Sequence, residues 1–241
     1  MKIVWMTLLF VSTLFALSAD EVIKIMEENT RGLNTKTSMQ MIVQTKRGER
    51  KMKMESYDEG TKKSFIKITY PKKDRGITFL KLENQMWQYV PRIEKVIKIP
   101  SSMMMQSWMG SDFSNDDLVK ESSLSRDYEK KIITQDGDIY TIALIPKEEA
   151  AVVWGKIIVV VDIKRKVALS NIFYDEDDYK VRSLIFSDFK VFDGRTVASK
   201  MVMKSVDKPK NSTTILFDDM DFHAVHKKDR FTKRALKKYG R

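Results

Sequence analysis

The sequence predicts a mainly β fold with a few helices, in which an antiparallel sheet curves into a barrel or half barrel. Three observations predict it. Alternation of period two dominates the chain, as where Met39, Met41 and Val43 alternate with Gln40, Ile42 and Gln44. Short turn signals separate the alternating runs, so consecutive strands pair antiparallel. The runs are also too numerous for a flat open sheet, because strand twist accumulates until a large sheet curls, splits or closes.

Residues 1–19, MKIVWMTLLFVSTLFALSA, place Lys2 before an apolar run from Ile3 to Leu17 and end on the small residue Ala19. That is the pattern of a cleaved secretory signal. The run falls short of the roughly 20 residues a membrane-crossing helix needs. The mature chain is therefore expected to begin at Asp20 and to form one domain over residues 20–241. Glu21 to Arg31 reads as an amphipathic helix with Val22, Ile25 and Met26 on one face, stopped by Gly32.

A first strand block follows. Runs around Met39 to Val43 and Met52 to Met54 flank a hairpin turn at Lys46-Arg47-Gly48-Glu49. Phe65 to Tyr70, Ile77 to Leu82, Gln85 to Val90 and Ile93 to Ile99 continue the meander. Pro71, Gly76, Glu83-Asn84 and Pro91-Arg92 punctuate it. A second block comprises Lys131 to Thr134, Asp138 to Ile145, Val153 to Ile163, Val167 to Tyr174, Tyr179 to Phe192, Thr196 to Val206 and Ser212 to Phe222.

Between the blocks, Ser101 to Leu118 breaks the alternation. Ser114 and Asp117 have the spacing of a capping box and predict a short helix from about Asn115. Lys227 to Lys238 reads as a closing helix, with Phe231, Ala235 and Leu236 on its apolar side.

Composition narrows the function. The chain of 241 residues has no cysteine, which excludes disulfides, thiolate chemistry and lipid attachment through Cys. Its net charge of +11 fits an anionic surface. For an exported protein that partner is a membrane rather than nucleic acid. Methionine is abundant, with 15 residues that include the run Met103-Met104-Met105; flexible thioethers suit irregular cores and adaptable binding surfaces alike.

The usual catalytic constellations are missing. His223 and His226 lie in an extended pattern that puts positions i and i+3 on opposite faces, and Asp175 to Asp178 lacks the ligand spacing of a calcium loop. No nucleophile elbow, phosphate loop or His-Glu-x-x-His occurs. The expectation is a protein with no catalytic residue, no metal site and no cofactor. A pair of carboxylates leaves no local signature, so an exported hydrolase stays open as an alternative.

Tyr70-Pro71, Gly76-Ile77-Thr78-Phe79-Leu80, Gln85-Met86-Trp87-Gln88-Tyr89-Val90-Pro91 and Trp108-Met109-Gly110-Ser111-Asp112-Phe113-Ser114 follow one another in an order that resembles the LolA-like outer-membrane lipoprotein-sorting proteins. Trp154-Gly155-Lys156, Phe192-Asp193-Gly194 and Phe231-Thr232-Lys233-Arg234-Ala235-Leu236 extend the resemblance over nearly the whole mature chain. It implies a strongly curved antiparallel sheet, an incomplete barrel whose apolar concave face is lidded by helices and holds acyl chains.

The resemblance further implies a periplasmic, monomeric carrier of an acylated lipoprotein or lipid. Its partners would be an inner-membrane transporter, of the RND type in the broader relatives, and transiently an anionic membrane. A protein-binding accessory subunit is the other alternative.

Transport in water needs a shield. Exposing a chain of roughly 16 carbons costs on the order of 12 kcal/mol at about 0.8 kcal/mol per CH₂. The residues expected to form the cavity or its lid are Met39, Met41, Ile66, Ile68, Trp87, Tyr89, Met103, Met104, Met105 and Trp108. Those expected to dock on a membrane or partner are Lys227, Lys228, Arg230, Lys233, Arg234, Lys237 and Lys238.

Overall fold

Alternation of period two carries through into one antiparallel sheet. The computed structural model describes residues 17–119, 124–150 and 152–240; the run read as a signal peptide lies, up to residue 16, outside the described residues. The first block gives β1 (Asn34–Thr45), β2 (Gly48–Glu59), β3 (Lys63–Tyr70), β4 (Thr78–Leu82), β5 (Gln85–Val90) and β6 (Lys95–Lys98). The second gives β7 (Tyr128–Asp136), β8 (Ile139–Pro146), β9 (Lys156–Asp162), β10 (Val167–Tyr174), β11 (Lys180–Phe192), β12 (Arg195–Ser205) and β13 (Ser212–Asp221).

The spatial order is β6-β5-β4-β3-β2-β1-β13-β12-β11-β10-β9-β8-β7. Each block is a meander, and the two join where β1 pairs with β13, with Met41 opposite Ile215 and Val43 opposite Thr213. The sheet stays open, and β6 and β7, consecutive in sequence, form its opposite edges. The chain between them must therefore cross the concavity.

Register assigns the faces. Met39 and Met41 pair with Met54 and Met52, Ile66 and Ile68 lie opposite Ser56 and Met54, and Ile66 lies opposite Phe79. All of these share the concave face, as do Ile142 and Val159 in the second meander.

Helix α1 (Ala19–Thr30) lies on the second meander. It begins before Glu21 because Ser18 and Glu21 form a capping box. Val22 and Ile23 are fully buried there with Ile142 and Val159. Ile23, rather than the expected Ile25, completes the buried stripe.

Cover for the first meander comes from the crossing segment. Its two short 3₁₀ turns, Ser101–Met103 and Trp108–Gly110, lead into α2 (Asn115–Val119) and then α3 (Leu124–Asp127). Trp108 is buried against Phe79, ring centroids 5.4 Å apart, in a cluster with Met41, Met52 and Ile68. The predicted capping box is present: Ser114 Oγ accepts the Asp117 N–H at 3.1 Å, and the Asp117 carboxylate accepts the Ser114 N–H at 2.8 Å.

Helix α4 (Lys233–Gly240) is shorter than the predicted closing helix and packs on the convex face. Thr78 Oγ1 donates to the Leu236 carbonyl at 2.9 Å. The end of α4 touches the β3–β4 turn through Gly76 and Gly240, whose carbonyls lie where the other's Cβ would be. Gly76 also has φ +84°, a conformation that favours glycine. Gly76→Ala is expected to lower stability by more than about 1 kcal/mol in urea unfolding; an unchanged midpoint would count against this close packing.

Candidate functional site

The two covers on the concave face touch where Glu27 of α1 accepts the N–H groups of Leu124 and Ser125 in α3. Between α1 and the crossing segment lies a cavity of about 680 Å³, within the range of small-molecule sites. Its floor comes from alternate residues of the central strands, among them Met39, Leu184, Phe186, Met201 and Phe217. Phe113 and Leu118 line it from the crossing segment and Met26 from α1. These side chains line it because they share the sheet face that Met41, Val159 and Met203 fill with core.

Two polar clasps hold the covers. From α2, Asp117 reaches Arg182 of β11 with hydrogen bonds of 2.8 and 2.5 Å. The Arg182 guanidinium also packs on the rings of Trp154 and Phe173, 4.4 and 4.9 Å from their centroids. From α1, the buried Glu27 carboxylate accepts the N–H groups of Leu124 and Ser125 at 2.8 and 3.2 Å and pairs with Arg31 at 3.1 Å. Both clasps border the cavity.

Burial alone would raise the Asp117 carboxyl, but the hydrogen bonds and charge of Arg182, with help from Ser114, hold it below its ordinary value.

Of the residues expected from sequence to form the cavity, Met39 lines it. Met41, Ile66, Ile68 and Trp108 belong to the adjoining core of the same face, and Met104 packs against that core. Met103 and Met105 are exposed on the crossing segment. Trp87 and Tyr89 lie elsewhere. Their partners Leu80 and Thr78 place them on the convex face, where they pack beneath Ala235 and Leu236 of α4.

The basic residues near the C-terminus divide similarly. Arg230 is buried between Tyr57 and Tyr239, 3.9 and 4.0 Å from their ring centroids. Lys233 sits 4.6 Å from the centre of the Trp87 ring, and Lys237 and Lys238 pair with Glu94 and Asp229. Lys227, Lys228 and Arg234 are exposed.

His223 Nδ1 lies 2.7 Å from Asp193, and His226 Nε2 lies 3.0 Å from the Asp58 carbonyl. Among the described residues no group of three or more His, Asp or Glu side chains is placed to hold a metal. No helix there is long and apolar enough to cross a membrane.

An open, curved antiparallel sheet with a helix-covered concave cavity defines the LolA-like fold. A LolA superfamily protein from Nitrosomonas europaea is similar at TM-score 0.73 and 17% identity, over 91% of this chain and 99% of its own. A putative outer membrane lipoprotein-sorting protein domain from Vibrio parahaemolyticus matches at TM-score 0.74 and 22% identity, over 91% and 100%. A DUF1329 family protein from Desulfovibrio piger matches at TM-score 0.81 and 19% identity, over 90% and 97%.

By sequence, a family described as "Uncharacterized protein" matches residues 60–238. The chain belongs to that family, and its fold is that of the LolA-like lipoprotein-sorting proteins. No curated protein matches it in sequence.

The depressed Asp117 carboxyl gives the clasp a pH dependence. With the folded value below the unfolded one, the stabilisation is present above the ordinary carboxylate range near about 4 and fades as pH falls through the folded value. Asp117→Asn strands Arg182 without its counter-charge and is expected to cost about 3–5 kcal/mol at pH 7. In urea unfolding the variant and the parent should converge as pH drops below about 4. A gap that stays constant with pH would show that the clasp is not ionic.

Proposed function

We propose that this protein is a non-catalytic carrier that holds an acyl chain in the cavity between α1 and the crossing segment and shields it from water. One observation carries the reading. The concave face is apolar along alternate residues, and its two covers leave about 680 Å³ of it unfilled. A packed protein core leaves few voids larger than a water molecule. Among the described residues this space, open to solvent on one side, is large enough for a ligand.

Each buried CH₂ contributes about 0.8 kcal/mol, so a long chain is held firmly enough to need a means of release. The clasps supply one. Asp117–Arg182 and Glu27 with Leu124 and Ser125 are polar contacts whose loss would loosen α2 and α3 at the mouth while Val22, Ile23 and Trp108 keep their apolar seats and the sheet keeps its ladder. Opening then trades polar contacts at the mouth against apolar burial inside.

The same proposal takes the cargo as an acylated lipoprotein or lipid and the compartment as the periplasm, with an inner-membrane transporter of the RND type as donor or acceptor. Its support is the fold shared with the lipoprotein-sorting domain and the signal-like leader. Docking on an anionic membrane would fall to the exposed Lys227, Lys228 and Arg234, with Lys233 beside them. Arg230 serves packing instead.

Native mass spectrometry of residues 20–241, prepared from an exported form without detergent, should show bound acylated mass. Leu184→Glu or Met201→Glu should remove it from a folded protein, whereas Trp87→Leu should leave it in place. Lipid lost with Trp87→Leu and retained with the cavity variants would move the site to the convex face.

Binding to vesicles that contain anionic phospholipid should weaken with Lys228→Glu and Arg234→Glu. It should also fall as salt rises, since the Debye length shrinks from about 10 Å at 0.1 M to about 3 Å at 1 M. Binding indifferent to salt would contradict electrostatic docking.

A further inference from the structure

One edge of the sheet leaves apolar side chains on the surface close together in the chain. Ile93, Val96, Ile97, Met103 and Met105 are between 38% and 61% exposed. They run from the short 3₁₀ turn Pro91–Ile93 through β6 into the start of the crossing segment. β6 pairs only with β5, and its residues alternate across the edge: Val96 lies opposite Tyr89 on the convex face and Ile97 opposite Gln88 on the concave face. The edge is therefore apolar on both sides.

Cations frame it. Arg92, Lys95 and Lys98 are exposed between these residues, and the acidic residue of the stretch, Glu94, is engaged with Lys237 of α4 at 3.5 Å. Lys98 of β6 and Lys233 of α4 lie 5.8 and 4.6 Å from the centre of the same Trp87 ring, so the positive surface of α4 continues onto the edge. The β3–β4 turn adds the exposed Lys72 and Lys73. It sits at the same end of the sheet, since a Cβ on Gly76 would come within 3.3 Å of the Pro91 ring.

Chemistry selects what covers this edge. A partner strand is disfavoured, because β6 has only four residues and a lysine at each end, the features that keep an edge from pairing. An acidic protein would answer the charge, but apolar side chains that project to both sides of an edge offer it no flat face to pack on. The surface of an anionic bilayer answers both, since acyl chains accept apolar groups in any orientation while phosphates meet the lysines. The unpaired backbone groups of the β6 edge keep such a contact shallow, at the headgroup depth that water still reaches.

Resting on the reading of an exported carrier that meets an anionic membrane, we propose that the β6 edge and the start of the crossing segment are the surface that enters the lipid interface. Ile93, Val96, Ile97, Met103 and Met105 insert among the headgroups, and Arg92, Lys95 and Lys98 bind phospholipid phosphates around them. The basic residues of α4 widen this contact rather than make it alone. Met103 and Met105 lie on the segment that goes on to line the cavity with Phe113 and Leu118. Docking thus brings the cover of the acyl site itself to the lipid.

The chain has no native cysteine, so single cysteines report position directly. Ile97→Cys, Met105→Cys and Val191→Cys variants of residues 20–241, each labelled with the polarity-sensitive fluorophore NBD, are mixed with vesicles of equal parts phosphatidylglycerol and phosphatidylcholine. Val191, 68% exposed on β11 in the other meander, is the control. The labels at Ile97→Cys and Met105→Cys are expected to brighten and shift to the blue, and the label at Val191→Cys to stay unchanged. Lys95→Glu combined with Lys98→Glu should weaken vesicle binding by more than about tenfold.

A shift at Val191→Cys as large as at the other two, or vesicle binding with no shift at Ile97→Cys and Met105→Cys, would overturn the edge as the docking surface. Equal binding to vesicles of phosphatidylcholine alone would overturn the role of the lysines. No binding to either kind of vesicle would overturn lipid as the occupant and favour an acidic protein. The carrier reading fails on a different result, the absence of acylated mass from the detergent-free protein, and the vesicle experiment reads the edge in either case.

Discussion

The strands on either side of the crossing segment sit at opposite edges of the sheet, and the rest of the molecule depends on that placement. β6 and β7 cannot pair with one another, so the chain from Ile99 to Asp127 must span the concave face to join them. In doing so it becomes a cover. Trp108 seats it on Phe79, Thr213 accepts the Asp112 N–H at 2.8 Å as it passes, and Asp117 ends the crossing on Arg182. Helix α1 covers the other half and is tied to the crossing segment through Glu27, and the space left between the two is the cavity.

The covers differ in how they are held. Helix α1 buries Val22 and Ile23 completely, an apolar anchorage of about 1.5–3 kcal/mol per side chain. The crossing segment has apolar seats in Trp108 and in Val119 of α2, and the Asp117–Arg182 pair adds a polar hold on α2. A buried ion pair contributes little net stability against an apolar replacement, while its geometry is specific. That combination suits a contact that must close in one position and also reopen. Arg182 holds the cover with its terminal nitrogens and packs its guanidinium on Trp154 and Phe173 beside the cavity.

Much of the fold was legible because period two is a local signal. Alternation located the strands within a few residues, and the Ser114 and Asp117 spacing located α2. Ser18 and Glu21 offered the same signature for α1, readable but lying across the expected cleavage position. The face of each strand was harder. Trp87 and Tyr89 alternate as convincingly as Met39 and Met41, yet only the register through Leu80 and Phe65 shows that they face α4 and not the cavity. Arg182 had no local signal, because its burial is created by Asp117, far away in sequence, and by the rings of Trp154 and Phe173. Arg230 was hidden in the same way, a basic residue among basic residues until Tyr57 and Tyr239 enclose it.

The tryptophans provide the most direct test of where a ligand sits. Trp154 lines the cavity, whereas Trp87 lies on the opposite face of the sheet beneath α4. In variants of residues 20–241 that keep one tryptophan each, a fatty acid brominated along its chain should quench Trp154 fluorescence on binding and leave Trp87 unaffected. Quenching of Trp87 alone, or of neither residue while the fatty acid is bound, would contradict the assignment of the concave cavity as the acyl site.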